Sequence, residues 1–462
     1  MNPLAPRPDW SSRRLHFIGI GGAGMSGLAL VCRELGAEVT GSDRAESSYM
    51  ERLRAGGIEP VVGHDESNLP EDTEVVVSTA IGDDNSELAL ARARGLVEHR
   101  RGELLAELCR QPGKKLIAVA GAHGKTTTSA MLAWALRGLG TEPAFFVGGE
   151  VPGLGPEGGA ANAGWGEGEW VVAEADESDG SFRHLEPEIA VVTNVEMDHH
   201  AHWKSLDELT AAFRRFLESA DAAVVPNAPK FPLEQRSMVR FAEDILYGDH
   251  SLRPAARGFS QGSPGPRDLR LAVPGAHNRA NARAALAALG LAGFDLDAAA
   301  AGLADFPGVR RRLELKGTRN GATVYDDYAH HPTEVRAALE ALREEDPVKL
   351  TAVFQPHLYS RTKELFEDFG AALALADEVF VLDIYAAREN PDRFGGVTGK
   401  LVFDAASARM GGGGARVTWT PTIEQARQSA LGALEPGAIV VTLGAGDVYR
   451  VADALVGAGD DG

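Results

Sequence analysis

Six consecutive residues have the types and spacing needed to hold a triphosphate: Gly121-Ala122-His123-Gly124-Lys125-Thr126. Backbone N–H groups of such a turn can bind phosphate oxygens, a lysine can reach the β- and γ-phosphates, and a threonine hydroxyl can bind Mg²⁺. The stretch is shorter than the usual phosphate loop, because Val119 stands where its first glycine would fall. Thr127 and a helical pattern follow, so the sequence predicts an ATP and Mg²⁺ site.

Acidic and histidine residues follow two apolar strand patterns downstream of this loop. Glu174-Ala175-Asp176-Glu177 closes the run 170–173, and Asn194-Val195-Glu196-Met197-Asp198-His199 closes the run 189–193. Open α/β sheets bind ligands at the carboxyl ends of their strands. Because Mg²⁺ takes one or two carboxylates plus substrate oxygens, we expect only part of this set to bind the ion.

A second glycine turn lies near the start of the chain. Gly19-Ile20-Gly21-Gly22-Ala23-Gly24 follows an apolar run and precedes a helical pattern from Met25. Glycines let the backbone approach a pyrophosphate at a helix N-terminus. Asp43 ends the next strand pattern, 19 residues after Gly24, in a position to meet a ribose. From these residues alone, a nucleoside diphosphate or the dinucleotide of a dehydrogenase would fit.

Polar groups in the second half of the chain complete the candidates. Asn278 and Asn281 share one face of a predicted helix that starts near His277, and such amides can read an adenine edge. Asn278 would serve equally as a helix cap. Two further polar stretches follow strand patterns: Asp326-Asp327-Tyr328-Ala329-His330-His331-Pro332 and Gln355-Pro356-His357-Leu358-Tyr359-Ser360-Arg361. A run of three arginines, Arg310-Arg311-Arg312, precedes them. Together these stretches predict a substrate-binding surface.

Strand and helix patterns alternate along the whole chain, which is typical of α/β proteins with parallel sheets. With 462 residues the chain is long enough for about three domains. A Pro-Gly break at 112–113 ends the first, and the third begins near Arg310. We therefore predict domains at 1–112, 113–309 and 310–462. Residues 229–273 have no clear period and stay unassigned, and 410–414 is predicted to be a loop.

Composition excludes several classes of partner. The formal net charge of −20 and the lack of a long basic block argue against a nucleic-acid or anionic-membrane partner. The sequence has no apolar leader and no apolar run long enough for a membrane helix, so we expect no membrane partner. Cys32 and Cys109 form no paired motif, which favours the reduced cysteines of a cytoplasmic protein.

Taken in order, these motifs resemble those of the Mur ligase family. They are HFIGIGGAGMSGLA, GAHGKTTT, EADESD, TNVEMDHH, PGAHNRAN, DDYAHHPTE and FQPHLYSRT, and the likeness extends from about residue 15 to the last strand pattern. The resemblance implies a Rossmann-like UDP-sugar domain, a P-loop ATPase domain with a mostly parallel sheet, and a Rossmann-like amino-acid domain. It also implies ATP-dependent ligation of L-alanine to the carboxylate of UDP-N-acetylmuramate, through an acyl phosphate, in the synthesis of peptidoglycan precursors.

The resemblance also assigns roles to individual residues. Lys125 and Arg312 would act on ATP phosphate, Arg312 on domain closure. His330 is our candidate base for the amine, since histidine ordinarily titrates near neutrality. The UDP-sugar site would contain Gly21, Gly22, Ala23, Gly24, Met25, Asp43, His64 and Ser78. The ATP site would contain Gly121, Ala122, His123, Gly124, Lys125, Thr126, Thr127, His277, Asn278, Asn281 and Asp327. Metal ligands would be Thr126, Glu174 and His199, and the amino-acid site would contain Tyr328, His330, His357 and Arg361.

Three positions depart from the family pattern. Ala122 stands where threonine is usual, Met197 where proline is frequent, and Leu358 where many members have arginine. The last departure would leave Arg361 to pair the carboxylate of the amino acid. Three alternatives stay open: another ligase of the same family, serine or glycine in place of alanine, and a nicotinamide-dependent dehydrogenase. The sequence also leaves open whether the protein is a monomer or a homodimer.

Overall fold

The structure is a computed structural model that describes residues 9–177, 180–197, 203–226, 238–241, 246–247, 269–387, 389–411 and 416–457. The chain divides into two compact units. Unit 1 contains Met1–Leu271 and Ala280–Pro307, and unit 2 contains Ala272–Arg279 and Gly308–Gly462. None of the helices in the described part of the chain is both long enough and apolar enough to span a lipid bilayer.

The first sheet of unit 1 has five parallel strands. The strands are β1 (Arg14–Ile18), β2 (Glu38–Asp43), β3 (Val61–Val62), β4 (Glu74–Val77) and β5 (Glu98–Arg100), and the helices are α1 (Ala23–Glu34), α2 (Ser48–Ala55), α3 (Ser86–Arg94) and α4 (Arg101–Cys109). Their order across the sheet is β3-β2-β1-β4-β5. The order reverses beside β1, and such a switch point is where open α/β sheets bind ligands. The first glycine turn follows β1.

The second sheet of unit 1 has eight strands in the order β13-β12-β11-β10-β6-β9-β7-β8. The strands are β6 (Lys115–Ala120), β7 (Ala144–Val151), β8 (Ala161–Gly164), β9 (Trp170–Glu174), β10 (Ile189–Val192), β11 (Ala222–Pro226), β12 (Met238–Phe241) and β13 (Leu246–Tyr247), and the helices nearby in sequence are α5 (Lys125–Gly138), α6 (Leu206–Glu218), α7 (Ala276–Leu291) and α8 (Leu296–Leu303). Because β6 is parallel to both β9 and β10, the segments that follow these three strands meet at one edge.

The sheet of unit 2 has six strands in the order β14-β15-β19-β16-β17-β18. The strands are β14 (Glu314–Arg319), β15 (Ala322–Asp327), β16 (Lys349–Phe354), β17 (Glu378–Val381), β18 (Arg416–Trp419) and β19 (Ala438–Leu443), and the helices are α9 (Pro332–Arg343), α10 (Tyr359–Leu373), α11 (Lys400–Met410), α12 (Ile423–Leu431) and α13 (Tyr449–Gly457). Only the edge strand β14 pairs in antiparallel fashion among these described strands.

Continuous apolar strand sequences explain the central strands of each sheet. All four residues of β10 and all six of β19 are buried, as expected for parallel strands covered on both faces. The strands predicted from the apolar runs 170–173 and 189–193 are confirmed to within one residue.

Several sequence expectations need correction or lie outside the described residues. The edge strand β8, its neighbour β7 and the short strands β12 and β13 were not predicted; the last two fall within the unassigned stretch 229–273, most of which lies outside the described residues. Met410, expected in a loop, ends α11, and 412–414 also lie outside the described residues.

Candidate active site

The phosphate-loop sequence forms a tight turn between β6 and α5. Gly121 and Gly124 have φ angles of +135° and +81°, which side chains disfavour. A Cβ on Gly121 would collide with the Thr193 hydroxyl, and one on Gly124 would lie 2.5 Å from Asn281 Oδ1. Both positions therefore require glycine. The turn opens directly into α5, whose N-terminus favours a bound phosphate.

Residues at the end of β10 hold this turn in place. The Asn194 side chain accepts the N–H of His123 at 2.9 Å and donates to its carbonyl at 2.8 Å. The Thr193 hydroxyl donates to the same carbonyl at 2.6 Å. The His123 ring lies 3.0 Å from Glu196, measured between Nε2 and Oε2. The second acidic stretch of the sequence thus supports the phosphate loop from a neighbouring strand.

Lys125 is held beside the loop by carboxylates. Its Nζ donates to the Gly121 carbonyl at 2.6 Å and to Glu177 Oε1 at 3.0 Å. Burial opposes the charge on Lys125, but the carboxylates of Glu177, Asp176 and Glu174 outweigh it and raise the pKa of the ammonium group. Lys125 is therefore a cation at neutral pH, as a lysine that binds transferring phosphate must be.

Two of the three predicted metal ligands lie together. The Thr126 hydroxyl is within 3.1 Å of Glu174 Oε1 and 3.0 Å of Oε2, and the Gly148 N–H donates to Oε2 at 2.7 Å. A hydroxyl and a carboxylate are the oxygen donors that Mg²⁺ prefers. The third predicted ligand, His199, lies outside the described residues, and its role stays a prediction.

The first glycine turn is tied to the end of β2. The Gly21 N–H donates to Asp43 Oδ2 at 2.9 Å, and the Ser47 hydroxyl donates to the Gly21 carbonyl at 2.8 Å. A Cβ on Gly21 would lie 2.9 Å from Ser47 Oγ and 3.0 Å from Asp43 Oδ2. Asp43 therefore shapes the turn itself, and its contact with a ribose stays a prediction.

His64 and Ser78 lie at the same edge of the sheet as this turn. The N–H of the residue before His64 donates to the Asp43 carbonyl at 2.7 Å, and His64 Nδ1 is 3.0 Å from Ser42 Oγ. The Ser78 Cβ is 2.9 Å from the position that a Cβ on Gly19 would occupy. The structure thus brings the predicted UDP-sugar residues together.

The start of α1 completes the first glycine turn. Gly22 precedes this helix, and Ala23, Gly24 and Met25 form its first residues, with the Met25 side chain buried in the core. A helix N-terminus at this point suits a pyrophosphate. A Cβ on Gly24 would lie 3.2 Å from Arg101 Nη1, and Arg101 Nη2 pairs with Asp176 Oδ2 at 3.1 Å. Arg101, which the sequence did not single out, links the turn to the acidic stretch after β9.

The three residues predicted to contact adenine have different surroundings. Asn278 lies in the first turn of α7 and its Nδ2 donates to the Pro274 carbonyl at 2.7 Å, which is a local contact but not the bond of a helix cap, where the side chain would accept a backbone N–H. In unit 1, Asn281 lies against Gly124 of the phosphate loop. Burial lowers the pKa of His277 to about 4, so its ring is neutral at pH 7. Contact of any of the three with adenine stays a prediction.

In unit 2, the buried Asp327 fixes a turn that carries predicted site residues. Its Oδ2 accepts the Leu313 N–H at 2.6 Å, and its Oδ1 accepts the Ala329 N–H at 2.7 Å. Burial raises the pKa of the Asp327 carboxyl to about 7. Asp327 therefore positions Tyr328 and His330, the two neighbours of Ala329, and its predicted contact with the ribose of ATP remains untested.

The four predicted amino-acid residues lie side by side at the ends of β15 and β16. The ring centroids of Tyr328 and His330 are 5.3 Å apart, and those of His330 and His357 are 5.9 Å apart. Arg361 Nη1 is 3.3 Å from His357 Nδ1. This cluster combines a cation for a carboxylate with two imidazoles that can accept a proton.

The contacts of His330 fix which ring nitrogen carries hydrogen. Its Nδ1 lies 3.1 Å from the Tyr328 carbonyl oxygen and 3.3 Å from Glu334 Oε2. Both neighbours are acceptors, so the hydrogen of the neutral ring belongs on Nδ1 and the lone pair on Nε2. This tautomer suits the expected role of His330 as a base for the amine.

The arginine run divides between the fold and the site. Arg311 Nε donates to the fully buried Asp326 at 3.0 Å, so Arg311 has a structural role. The guanidinium of Arg312 lies 5.1 Å from the centre of the Tyr328 ring, next to the amino-acid cluster. The contact of Arg312 with ATP phosphate stays a prediction.

Sequence reasoning missed one aromatic residue of this cluster. Tyr385 stacks on His357 with ring centroids 5.9 Å apart and planes within 14°. Its carbonyl accepts the N–H of Leu358, whose φ of +69° is unusual for a residue with a side chain. Tyr385 follows β17 at the same edge of the sheet as the residues after β16. Its position after a strand could therefore have identified it as a site residue from the sequence.

The fold and the site define the class: an α/β enzyme with a phosphate loop, a lysine beside it and a hydroxyl–carboxylate pair at the start of the following helix. Three family models match the chain: "Mur ligase family, catalytic domain" at residues 14–112, "Mur ligase middle domain" at 119–289 and "Mur ligase, glutamate ligase domain" at 311–446. The chain belongs to the Mur ligase family. The predicted α/β fold with Mur ligase domains is therefore confirmed.

Relatives and solved structures agree with this membership. The chain is 45% identical to the UDP-N-acetylmuramate–L-alanine ligase of Kineococcus radiotolerans, over 95% of this chain and 94% of that protein. It is 43% identical to the ligase of the same description from Streptomyces avermitilis, over 98% and 99% of the two chains. The crystal structure of the UDP-N-acetylmuramate–alanine ligase from Thermotoga maritima matches with a TM-score of 0.78 at 28% identity, over 96% of this chain and 98% of that chain.

Proposed function

We propose that this protein is an ATP-dependent ligase that joins L-alanine to the carboxylate of UDP-N-acetylmuramate in the synthesis of peptidoglycan precursors. The observation that carries the chemistry is the phosphate loop, where Lys125, Thr126 and Glu174 converge from α5 and β9. The choice of substrates rests on the relatives, which are named for this reaction and cover nearly the whole chain.

Thr126 and Glu174 are proposed to hold Mg²⁺. They offer the oxygen donors that this ion prefers, and they lie within hydrogen-bond distance of each other at the phosphate loop. When bound there, Mg²⁺ would neutralise charge on the β- and γ-phosphates. His199 is proposed as a further ligand, on the resemblance alone.

In the first step, an oxygen of the muramyl carboxylate attacks the γ-phosphorus of ATP. The bond from that phosphorus to the β-bridging oxygen breaks, so ADP leaves and an acyl phosphate forms. Such phosphoryl transfer is catalysed mainly by positioning and by charge neutralisation. Lys125 supplies a permanent cation, because Glu177 and its neighbours hold the ammonium group charged beside the loop.

In the second step, the amine of alanine attacks the acyl carbon and phosphate leaves. The amine must first be neutral, and it loses a further proton as the amide forms, so a nearby base is required. His330 is proposed as this base, with Nε2 taking the proton while Nδ1 donates to the Tyr328 carbonyl. Arg361 is proposed to bind the alanine carboxylate.

The three ligand sites are proposed to belong to separate domains. UDP-sugar binding is assigned to residues 1–112, ATP binding to 113–309 and amino-acid binding to 310–462. The reaction is proposed to occur in the cytoplasm, where its nucleotide substrates are available.

The test is phosphate release with ATP, Mg²⁺ and UDP-N-acetylmuramate against L-alanine, L-serine, glycine and a preformed peptide. L-Alanine should give the highest kcat/KM, with ADP and phosphate released in equal amounts. UDP-N-acetylglucosamine is the matched control, because it lacks the lactyl carboxylate and should give no amino-acid-dependent phosphate. Preference for the peptide would assign the chain to another ligase of the family, and turnover of a nicotinamide cofactor instead would overturn the proposal.

A further inference from the structure

A fully buried carboxylate lies beneath the predicted UDP-sugar site. Glu87 of α3 is 0% exposed and accepts hydrogen bonds on both oxygens. Oε2 accepts the Ser42 hydroxyl at 2.6 Å and His16 Nε2 at 3.1 Å. Oε1 accepts Asn68 Nδ2 at 2.9 Å and the Asp65 N–H at 3.1 Å. A buried carboxylate with this many donors is stable in its ionised form.

The hydrogen bond between Glu87 and Ser42 determines which ring nitrogen of His64 carries the hydrogen. Ser42 Oγ lies 2.6 Å from Glu87 Oε2 and 3.0 Å from His64 Nδ1, but it has a single hydrogen to donate. The shorter bond to a charged acceptor takes that hydrogen. His64 Nδ1 must therefore donate to Ser42 Oγ, and Glu87 Oε1, at 3.5 Å from Nδ1, favours the same tautomer.

The same tautomer places the lone pair of His64 on Nε2. The side chain of His64 is 16% exposed, whereas that of Glu87 is 0% exposed, so the ring joins the buried network to the surface. The Ser42 carbonyl accepts the N–H of Gly19 at 2.8 Å, which ties this network to the first glycine turn. A ligand on that turn would meet an acceptor rather than a donor at His64.

We infer that Glu87 and Ser42 are positioning residues that hold His64 as a hydrogen-bond acceptor for a donor group of the nucleoside, either the N3–H of uracil or a ribose hydroxyl. This inference rests on the proposed UDP-sugar site. It assigns to α3 a role in nucleotide recognition, although no residue of α3 belongs to the predicted site. Uracil and cytosine differ at N3, because cytosine has an acceptor there, so the two sources of the donor can be distinguished.

The inference is tested by a double-mutant cycle read out as Kd for UDP. Ser42→Ala should weaken UDP binding about fivefold, the cost of roughly one hydrogen bond. In a His64→Ala background the same substitution should have no further effect, because Ser42 acts through His64. Equal weakening by Ser42→Ala in both backgrounds would overturn the inference, since a purely structural role moves both. If wild-type protein binds no UDP, the proposed function fails instead.

Thr40→Ala is the matched control. Thr40 Oγ1 lies 2.8 Å from His16 Nδ1, so this variant removes a hydroxyl from the same network on the side away from His64. It should lower the melting temperature without changing the Kd for UDP, and a loss of UDP affinity equal to that of Ser42→Ala would contradict the inference. If Ser42→Ala does not fold, Glu87→Gln replaces it in the double-mutant cycle, because an amide can donate to Ser42 and reverse the tautomer of His64.

Binding of CDP distinguishes the two groups that could donate to His64. If the donor is the N3–H of uracil, His64→Ala should reduce the preference for UDP over CDP. If the donor is a ribose hydroxyl, His64→Ala should weaken both ligands equally.

Discussion

The two glycine turns of unit 1 both connect a parallel strand to a helix, but their electrostatic surroundings differ. The phosphate loop surrounds one cation, Lys125, with the carboxylates of Glu174, Asp176 and Glu177. The first glycine turn rests on Ser42 and Asp43, and the buried carboxylate of Glu87 behind it is satisfied by directional hydrogen bonds. Transfer of a phosphoryl group needs concentrated charge, whereas recognition of a ligand that stays intact needs donors and acceptors in fixed directions.

The largest effect is expected from a substitution that disrupts the phosphate loop and leaves the first glycine turn intact. Lys125→Ala removes the cation nearest the transferring phosphoryl group and should reduce kcat at least about a hundredfold. The Kd for UDP should stay unchanged, because the first turn has its own supports. Steady-state phosphate release and calorimetric titration with UDP measure the two quantities. Retention of more than about a tenth of kcat would mean that this loop is not the ATP site.

A variant outside both turns sharpens the comparison. Arg361→Ala should raise the KM for alanine about thirtyfold, since it removes a charge-assisted bond worth roughly 2 kcal/mol. The KM values for ATP and for UDP-N-acetylmuramate should remain near those of the wild type. Lys363, on the same helix, offers a matched control as Lys363→Ala, which should leave all three values unchanged. An equal rise for alanine and ATP would instead place Arg361 in the coupling of the two sites.

A smaller effect is expected from the metal side of the phosphate loop. Glu174→Gln keeps the shape of the side chain but removes a charged oxygen donor for Mg²⁺. The Mg²⁺ concentration for half-maximal rate should rise about tenfold, equivalent to roughly 1.4 kcal/mol. The KM for UDP-N-acetylmuramate should not change. Unchanged Mg²⁺ dependence in kinetic titrations would move the metal site to other carboxylates, such as Asp176.

The smallest effect on turnover is expected from substitution of Glu87, the carboxylate behind the first glycine turn. This substitution should instead change how the stability of the protein depends on pH. Burial alone would raise the pKa of Glu87, but hydrogen bonds from His16, Ser42 and Asn68 outweigh it and lower the pKa from 4.5 to about 2. Glu87 therefore contributes stability that is present above about pH 4.5 and is lost as pH falls towards 2, about 3 kcal/mol in all. Glu87→Gln should be less stable than the wild type at pH 6, and the difference should shrink at pH 3. Urea unfolding at the two pH values measures this, and an equal difference at both would contradict it.

Much of the fold and part of the site could be predicted because they depend on local sequence. Continuous apolar runs such as 438–443 form central strands, and groups that follow such strands meet at one edge of a sheet. The residues Lys125, Thr126 and Glu174, and likewise Tyr328, His330 and His357, could be found in this way. Short edge strands such as β13 have too few residues to show a period.

The remaining site residues depend on pairings that sequence does not display. Glu87 lies in a helical stretch and resembles an ordinary solvated residue, yet it meets His16 from 71 positions away. The contact of Asp43 with a ribose stays a prediction, but its bond to the Gly21 N–H was not foreseen, because it forms only when the turn folds back onto the end of β2. Such contacts follow from the tertiary fold, which brings neighbouring strand ends together.

The most direct test of the proposed ligase reaction follows one oxygen atom. With ¹⁸O in the carboxylate of UDP-N-acetylmuramate, attack on the γ-phosphorus makes a labelled oxygen the bridge of the acyl phosphate. Attack by the alanine amine then breaks the bond between the acyl carbon and that oxygen. Mass spectrometry of the released phosphate should therefore find one ¹⁸O atom per molecule, at the enrichment of the substrate. Unlabelled phosphate, formed together with the alanine adduct, would contradict the acyl-phosphate route and the proposed roles of Lys125 and the phosphate loop.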